Sequence, residues 1–134
     1  MLKILIAEDD FVSRKFLAKI FSQYGEVDTV FDGLEAVDAY MMAMREKEPY
    51  DLICLDIMMP KADGLKVLKA IRDLETQHKV ATEDRAKIIM TTALSDESYV
   101  QKAFADGCQA YAAKPIDVAK LVEVMSKLGF SLNS

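Results

Sequence analysis

The sequence has no tryptophan, one histidine, two cysteines and three prolines among its 134 residues. The two cysteines, Cys54 and Cys108, lack the spacing of metal ligands, and Cys54 lies inside an apolar run. We therefore expect both cysteines to be structural, with Cys54 acting as a small buried hydrophobic residue. No apolar run approaches the roughly 20 residues that a membrane-spanning helix needs.

Basic residues are fewer than acidic ones. The chain has 17 Lys and Arg residues and 22 Asp and Glu residues, which gives a net charge of −5. Nucleic acid is therefore not expected as a direct partner, since phosphate backbones attract basic patches. The amino terminus becomes acidic at Glu8, too early for a signal peptide. With 51% hydrophobic and 29% charged residues, we expect a soluble cytoplasmic protein without membrane contact. Its 134 residues fit one domain.

Short apolar, β-branched runs alternate along the chain with segments of helical spacing. The runs predict strands at Lys3–Ala7, Val27–Phe31, Asp51–Leu55, Lys87–Thr92 and Ala110–Ala113. Apolar residues that recur every three or four positions predict a helix after each strand. Five such units predict an α/β fold, a doubly wound five-stranded parallel sheet with five helices on its two faces.

The helical spacing also predicts which residues each helix buries, and small residues predict where helices end. The predicted buried faces comprise Val12, Phe16, Leu17, Ile20, Phe21, Tyr24; Leu34, Val37, Met41, Met44; Leu65, Leu68, Ile71, Leu74; Val100, Ala103, Phe104; and Val118, Leu121, Val122, Met125, Leu128. Gly25 and Gly107 stand where left-handed helix caps are favoured, and Ser95 and Asp117 stand at N-cap positions. The polar segment Thr76–Ala86 predicts an exposed loop or an extension of the third helix, with His78 in solvent.

Chemically active residue types stand at the predicted strand ends. Glu8 and Asp9 follow the first strand and Asp56 follows the third. Thr92 ends the fourth strand and Lys114 follows the fifth. Because the carboxyl ends of parallel strands meet at one edge of the sheet, we expect these five side chains to share a cleft.

The chemistry of such a cleft is specific. Carboxylates a few ångströms apart repel one another, so the cluster needs a cation or raised pKa values. Mg²⁺ suits the cluster because it prefers hard oxygen ligands, and Mn²⁺ is an alternative. Lys114 offers a point charge for a phosphoryl oxygen and Thr92 offers a hydroxyl donor. Asp56 can then act as a carboxylate nucleophile that accepts a phosphoryl group.

Each of these residues also has an ordinary structural explanation. Asp10 is expected to cap the helix that follows it, and Asp56 alone could be a loop acid. Lys114 could be a solvated lysine, and Thr92 could be selected for β-propensity. Taken singly, these explanations are at least as good as the functional ones. Four strand ends of one sheet carrying such residues together favour a functional site.

The pattern resembles the receiver domains of bacterial two-component response regulators, of the single-domain chemotaxis type, over nearly the whole chain. The matching stretches are ILIAEDD, LICLDIMMPKADGL, IIMTTA and AYAAKPI, at the first, third, fourth and fifth strands. The resemblance implies a flavodoxin-like fold and a phosphoryl-accepting switch in a phosphorelay. It implies no output domain and no activity on an external substrate.

The resemblance implies a role for each matching residue. Asp56 is similar to the phosphorylation site, and Asp56, Asp9 and the backbone carbonyl of Met58 resemble the direct metal ligands. Glu8 would act on the metal through a bound water. Lys114 would contact the phosphoryl group.

The resemblance also implies how the switch works and which surface it changes. The Thr92 hydroxyl would move toward the phosphoryl group, and Tyr111 would turn inward into the vacated space. The Lys114–Pro115 peptide bond is expected to be cis. The expected partner face comprises Val100, Tyr111, Ala113, Ile116 and Val124, on the fourth helix, fifth strand and fifth helix.

The partners that follow from the resemblance are a histidine kinase or phosphotransfer protein as donor, and a target protein or a second copy as acceptor of the signal. A phosphatase of the haloacid dehalogenase type needs a second Asp two residues after the nucleophile, where this chain has Met58. A flavin-binding module would place its phosphate beside Glu8–Asp10, which would repel it. A receiver fold that acts without phosphate is disfavoured by the intact set of site residues.

Overall fold

The computed structural model describes residues 2–59, 63–93 and 97–132. The strands within these ranges are β1 (Leu2–Ala7), β2 (Gly25–Val30), β3 (Leu52–Asp56), β4 (Lys87–Thr92) and β5 (Ala110–Ala113). The helices are α1 (Phe11–Phe21), α2 (Gly33–Arg45), α3 (Gly64–Gln77), α4 (Glu97–Ala105) and α5 (Val118–Lys127). The predicted alternation is confirmed, with strand ends shifted by one or two residues at most.

The five strands form one parallel sheet in the order β2-β1-β3-β4-β5. The chain places β2 on one side of β1 and then β3, β4 and β5 on the other side. The carboxyl ends of β1 and β3 therefore flank the point where the winding direction reverses. Ligands bind at this point in doubly wound sheets, so the topology itself indicates where a site belongs.

Two hydrophobic cores cover the two faces of the sheet. Alternate residues of the buried strands point to opposite faces, so Leu5 and Ile53 lie in one core while Ile4 and Leu52 lie in the other. Helices α2, α3 and α4 close the first core, and α1 and α5 close the second. The apolar character of β3 at every position before Asp56 follows from this double coverage.

Five exposed residues correct the predicted buried faces. Val12 and Phe16 of α1 are 72% and 40% exposed, and Leu34 of α2 is 55% exposed. Val12 and Leu34 stand in the first turn of their helices, at the carboxyl edge of the sheet, where a helix has less sheet to pack against, whereas Phe16 stands in the middle of α1. Phe104 and Val118 are exposed as well. The remaining predicted positions are buried or half-buried.

The predicted helix caps are partly confirmed. Gly107 has a φ of 106°, the left-handed conformation expected of a helix cap. Asp10 and Asp117 accept hydrogen bonds from the backbone N–H groups of Ser13 and Lys120, as N-caps do. Ser95, the other predicted N-cap, lies outside the described residues. The prediction for Gly25 is wrong, since this residue begins β2, and a Cβ there would lie 2.7 Å from the Cβ of Leu2.

The segment Thr76–Ala86 combines both predicted alternatives. Helix α3 continues to Gln77, and a short 3-10 turn covers Thr82–Asp84. His78 is exposed, as predicted, and its Nδ1 lies 2.8 Å from the carbonyl oxygen of Leu74. Among the described residues, no helix is both long and apolar enough to cross a membrane.

A buried carboxylate holds this segment against the rest of the fold. Glu75 of α3 is fully buried and accepts hydrogen bonds from the Tyr40 hydroxyl at 2.8 Å and from the Ala86 N–H at 2.9 Å. Arg72 forms an ion pair with Glu75 at 2.6 Å and donates to the carbonyl oxygen of Gly107. The cluster therefore joins α2, α3, the start of β4 and the end of α4.

Candidate functional site

The carboxyl edge of the sheet gathers the residues that the sequence predicted there. Glu8 follows β1, Asp56 is the last residue of β3, Thr92 is the last residue of β4, and Lys114 follows β5. The Lys114 N–H donates to the carbonyl oxygen of Thr92 at 2.8 Å, which continues the sheet one residue beyond β5. Glu8 and Thr92 are fully buried, and Asp56 is 4% exposed.

The lysine at this edge bridges two carboxylates. Lys114 Nζ lies 2.8 Å from Asp56 Oδ2 and also contacts Glu8 Oε1. Burial lowers the pKa of Lys114, but its hydrogen bonds to Asp56 and Glu8 outweigh this effect and raise the pKa above its ordinary value. The ammonium group is therefore a fixed cation at the centre of the site.

Burial raises the pKa of Glu8 from its ordinary 4.5 to about 7. The Lys114 ammonium group acts in the opposite direction, and the neighbouring Asp56 carboxylate adds a further increase. A single lysine thus does not compensate for the burial of this carboxylate pair. A second cation at the site would hold Glu8 in its charged form.

A set of carboxylate oxygens at this edge fits a divalent metal. Glu8, Asp9 and Asp56 each offer one oxygen, and these three atoms lie within 4.8 Å of one another. Asp9 is exposed, whereas the other two side chains are buried. An all-oxygen donor set with one solvent-facing side suits Mg²⁺ or Mn²⁺, which keep some of their water ligands.

The loop after β3 orients Asp56. The Met58 N–H donates to Asp56 Oδ1 at 3.1 Å, while Oδ2 receives the Lys114 ammonium group. The Ile57 N–H bonds the carbonyl oxygen of Thr91 at 2.9 Å, so the loop is attached to β4. The middle of the predicted motif, residues 60–62, lies outside the described residues.

The residues of β5 alternate between the two cores. Tyr111 is half-buried and packs against the core beneath α2, α3 and α4, whereas Ala110 and Ala112 pack on the opposite core. Tyr111, Ala113 and Ile116 line one pocket of about 540 Å³ between β5 and α5. The lining of this pocket also includes Val124, and Val100 on α4 is half-buried outside it. The Lys114–Pro115 bond is cis, as predicted.

Comparison with known proteins identifies the family. The profile of the response regulator receiver domain matches residues 4–126. The chain belongs to this family. It is 31% identical over 124 residues to the chemotaxis protein CheY of Treponema pallidum, and the match covers 90% of this receiver domain and 78% of CheY.

Solved structures agree with the family and the flavodoxin-like fold. A chain of the CheX–CheY–BeF3–Mg²⁺ complex from Borrelia burgdorferi is 32% identical with a TM-score of 0.81, over 95% of the receiver domain and 89% of that chain. A chain of the co-crystal structure of the histidine phosphotransfer protein Ypd1 with the Ssk1 receiver domain, from Saccharomyces cerevisiae, is 25% identical with a TM-score of 0.77, over 92% and 86%. The receiver domain spans only 6 to 12% of the length of the first histidine kinases that it matches, from Dictyostelium discoideum and rice.

Family membership confirms the coarser part of the functional prediction. The chain is a receiver domain of two-component signalling, a class of signalling switch rather than an enzyme with an external substrate. The roles of individual residues, the metal and the partners of this receiver domain remain predictions.

Sequence reasoning missed one residue that supports the acidic loop of the receiver domain. Arg14 of α1 donates to the carbonyl oxygens of Glu8 and Asp9 at 2.9 and 3.3 Å. Its guanidinium group also lies 4.2 Å from the ring centre of Phe31 and 5.6 Å from that of Phe11. These contacts hold the loop between β1 and α1 to the loop after β2. The Arg14 position, six residues after Glu8, belongs to no motif that could have indicated this role.

Gly64, in the matching stretch LICLDIMMPKADGL, allows the close contact between α3 and the acceptor strand. A Cβ at this position would overlap the backbone oxygen of Asp56 and lie 2.7 Å from the Cα of Ile57. The Gly64 N–H bonds the Ile57 carbonyl oxygen at 2.8 Å, so the helix cannot move away without losing this bond.

We therefore expect Gly64→Ala to lower the free energy of unfolding by about 1 to 3 kcal/mol, the usual cost of overpacking. Urea denaturation followed by circular dichroism measures the change. Gly129→Ala separates this cost from backbone strain. A Cβ at Gly129 meets no atom within 4 Å, so only the strain of the left-handed backbone lowers the stability of that variant. A Gly64→Ala protein as stable as the wild type would contradict the close approach.

The raised pKa of Glu8 predicts a pH dependence of the stability of the metal-free protein. Because the folded state binds this proton more tightly than the unfolded chain, Glu8 contributes stability below pH 4.5 and loses it as the pH rises through about 7. We expect Glu8→Gln, which removes this titration, to gain about 1 to 3 kcal/mol relative to wild type between pH 5 and pH 7.5. Urea denaturation in EDTA at both pH values measures this difference. Parallel pH profiles of the two proteins would show that Glu8 does not titrate in this range.

Proposed function

We propose that this receiver domain accepts a phosphoryl group on Asp56, with a divalent metal bound beside it, and that the modification changes how the domain binds a partner protein. The observation that carries the proposal is the position of Asp56, buried at the centre of the carboxyl edge between a fixed cation and two further carboxylates. We further propose that the domain works in the cytoplasm.

The chemical step requires a nucleophilic oxygen and compensation of negative charge. An Asp56 carboxylate oxygen would attack the phosphorus atom, a new O–P bond would form, and the bond from phosphorus to the donor would break with its electron pair going to the donor. With a phosphohistidine donor, the leaving group is the imidazole nitrogen. The Lys114 ammonium group, already 2.8 Å from Asp56 Oδ2, is positioned to transfer one of its hydrogen bonds to a phosphoryl oxygen.

Mg²⁺, or Mn²⁺ in its place, would supply the charge that neutralises the phosphoryl oxygens as they approach three carboxylates. The side chains proposed to hold it are Asp9 and Asp56, with Glu8 acting through a water ligand. The Met58 carbonyl oxygen is the proposed backbone ligand.

The proposed switch couples the acceptor to the face around β5. The buried Thr92 hydroxyl would bond a phosphoryl oxygen and thereby shift the end of β4. Thr92 pairs with Ala113 in the sheet, two residues beyond Tyr111, so a movement of β4 reaches β5 directly. We propose that Tyr111 then turns inward and changes the face that includes Val100, Ala113 and Ile116.

The surface around Asp56 is consistent with a protein donor. Phe11, Phe31 and Met58 are 65%, 53% and 59% exposed on the loops and helix ends at this edge of the sheet. Exposed apolar residues beside a charged site are typical of protein contact surfaces. We propose a histidine kinase or a phosphotransfer protein as the donor, and the Ypd1–Ssk1 complex, which joins such a protein to a receiver domain, supports this choice.

Two rival functions are less compatible with the site. A phosphatase with an Asp nucleophile needs a proton donor two residues later, and Met58 has none. A flavin phosphate would meet Glu8, Asp9 and the capping Asp10 at the end of β1. We therefore propose that the domain catalyses only its own phosphorylation and dephosphorylation.

Intact-mass analysis after incubation with acetyl phosphate tests the acceptor. We expect the wild type to gain the mass of one phosphoryl group in the presence of Mg²⁺ and not in EDTA. Asp56→Asn should gain none, whereas the control Asp73→Asn, an exposed acid on α3, should behave like the wild type. Phosphorylation of Asp56→Asn to the wild-type level would place the acceptor elsewhere. No gain in any protein would favour a domain that acts without phosphate or takes it only from a protein donor.

The partner face is tested by self-association of the full chain. We expect sedimentation velocity of the wild type to report a change in association when acetyl phosphate and Mg²⁺ are added. Tyr111→Ala should remove most of this change while leaving the mass gain at Asp56 intact. If Tyr111→Ala associates like the wild type in both states, the face around Tyr111 is not the one that the switch controls.

A further inference from the structure

A second concave surface lies at the end of the sheet opposite Asp56. A groove of about 510 Å³ runs between the end of α2 and the segment that connects α3 to β4. The chain enters β3 and β4 at this end, and the strands are parallel, so the groove lies at the amino edge while Asp56 lies at the carboxyl edge. No step of the proposed phosphoryl transfer uses it. Its volume is in the range of small-molecule sites in proteins.

The floor of the groove is apolar. Tyr40, Met41 and Met44 of α2 form one wall, and Pro49 and Val80 come from the connecting segments. The Tyr40 hydroxyl donates to the buried Glu75, so the polar end of this side chain is satisfied behind the groove and its ring remains as an apolar surface. Methionine side chains adapt to the shape of a ligand, which suits them to binding surfaces.

Charged side chains border this apolar floor. Arg45 and Lys47 line the groove together with His78, and Asp84 is the one acid among its described lining residues. The lining therefore has two cations against one acid in a chain whose net charge is −5. An apolar wall with adjacent cations is complementary to a ligand that combines an apolar body with a negative head group.

The backbone at the rim provides an independent observation. Lys47 and Lys79 have φ values of 59° and 57°, and they are the two non-glycine residues with positive φ in the described part of the chain. Lys47 lines the groove, and Lys79 stands between the lining residues His78 and Val80. Both follow a helix end at the position where glycine is usual, because a Cβ is strained in the left-handed conformation.

The backbone hydrogen bonds at these two helix ends account for the left-handed conformation, but they do not account for lysine in place of glycine. The N–H groups of Lys47 and Glu48 bond the carbonyl oxygens of Met44 and Ala43, the pattern of a helix-ending Schellman motif. Glycine would make the same bonds without strain. The helix dipole favours a cation at this end, so each lysine alone defines no site. The protein therefore has two lysines in a strained backbone conformation beside one apolar groove, at positions where glycine would avoid the strain.

We propose that this groove binds a small carboxylate with an apolar body, with the carboxylate near Arg45 and Lys47 and the apolar body against Tyr40, Met41 and Met44. The site is independent of phosphorylation of Asp56. Binding there places a ligand against Tyr40 and thus against the cluster of Glu75 and Arg72 that holds the end of α4.

The test uses 4-phenylbutyrate as the probe and the uncharged 4-phenylbutanol as its matched partner. In ¹H–¹⁵N NMR spectra of the full chain, we expect the carboxylate to cause saturable shifts at residues 40–49 and 74–84. The alcohol should bind up to about fivefold more weakly, the loss expected for one partly exposed charge contact. Asp56→Asn should bind the carboxylate like the wild type, which separates this proposal from the proposed function.

Two variants of Lys47 test its contact with the ligand without destabilising the fold. Lys47→Gly and Lys47→Asn both tolerate the left-handed conformation, so neither should unfold at a lower temperature than the wild type. Both should weaken 4-phenylbutyrate binding by about fivefold, while Lys127→Ala on α5 should leave it unchanged.

Several results would overturn the proposal. Unsaturable shifts, shifts centred on the Tyr111 pocket, or equal binding of the alcohol would each show that the groove does not recognise a carboxylate. Shifts at residues 40–49 that depend on protein concentration without any probe would mean that a second copy of the chain covers the groove instead.

Discussion

Replacing Lys114 by alanine is expected to slow phosphorylation of Asp56 by about a hundredfold to a thousandfold, the usual effect of removing one preorganised charge donor from a transition state. In the resting domain this ammonium group contacts both Asp56 and Glu8 and compensates part of their negative charge. Without it, the incoming phosphoryl oxygens would meet buried carboxylates with no fixed cation from the protein. The rate of mass gain with acetyl phosphate and saturating Mg²⁺ measures the loss. This prediction rests on the proposed function.

Two further variants separate charge from geometry at this position. Lys114→Arg keeps the charge but replaces a compact ammonium group by a planar, longer one, so we expect only part of the rate to return. Lys120→Ala, an exposed lysine of α5, is the matched control and should phosphorylate like the wild type. A Lys114→Ala protein that phosphorylates within a few-fold of the wild type would mean that the lysine serves only to hold the resting site together.

Loss of Lys114 should also change the resting site in a measurable way. The lysine opposes the rise in the pKa of Glu8, so its removal should raise this pKa further above about 7. Glu8 would then bind a proton over most of the neutral range in the absence of metal. NMR titration of the Glu8 side-chain carboxyl signal in EDTA would detect the shift and would distinguish a lost charge from a disordered site.

Replacing Glu75 by alanine is expected to lower the free energy of unfolding by about 3 to 5 kcal/mol, the cost of removing one partner from a buried charge cluster. The change leaves the Ala86 N–H and the Tyr40 hydroxyl without their acceptor and leaves Arg72 without its ion pair. It also removes a fully buried side chain from between α2, α3 and β4. Urea denaturation followed by circular dichroism gives the free energy.

The controls for Glu75 distinguish charge from packing. Glu75→Gln keeps the size and one acceptor oxygen, so its loss of stability should be smaller than that of the alanine variant. Glu83→Ala, an exposed acid in the neighbouring 3-10 turn, should change the stability by no more than about 0.5 kcal/mol. If Glu75→Ala costs less than about 1 kcal/mol, water replaces the carboxylate as the hydrogen-bond acceptor, and the cluster is not a tie between the helices.

The Lys114 and Glu75 variants are expected to lose different properties. Lys114 belongs to the phosphorylation site, so its loss should reduce the phosphorylation rate more than the stability. Glu75 lies near the opposite end of the sheet, so its loss should reduce the stability more than the rate measured in folded protein. A result in which both variants lose the same two properties would indicate that the stability of the fold limits the activity of the site.

Much of the fold was predictable because it depends on local patterns. The apolar run before Asp56 is fully buried in β3, since a strand covered on both faces leaves no position for a polar residue. Strand ends then place Glu8, Asp56, Thr92 and Lys114 at one edge, because all pairs are parallel. The exposed Val12 was not predictable from spacing, which gives the face of a helix but not how far the sheet extends beneath it.

The role of Gly25 shows a different limit of the sequence. A glycine after a helical pattern is usually a left-handed cap, and the pattern alone cannot tell this use from close contact with another strand. The Leu2 backbone lies where a Cβ of residue 25 would be, and only the pairing of β1 with β2 creates that contact.

The sequence by itself determined the order of the elements, the edge that carries the site and the residue types found there, because these follow from periodicity and strand polarity. Only the tertiary structure decided that Lys114 bridges Glu8 and Asp56, that Arg14 supports the acidic loop, and that Glu75 is a buried tie rather than a surface acid. Each of these contacts joins residues whose approach depends on how helices and loops pack across the sheet. Local patterns specify which face a side chain occupies, whereas packing specifies which partner it meets.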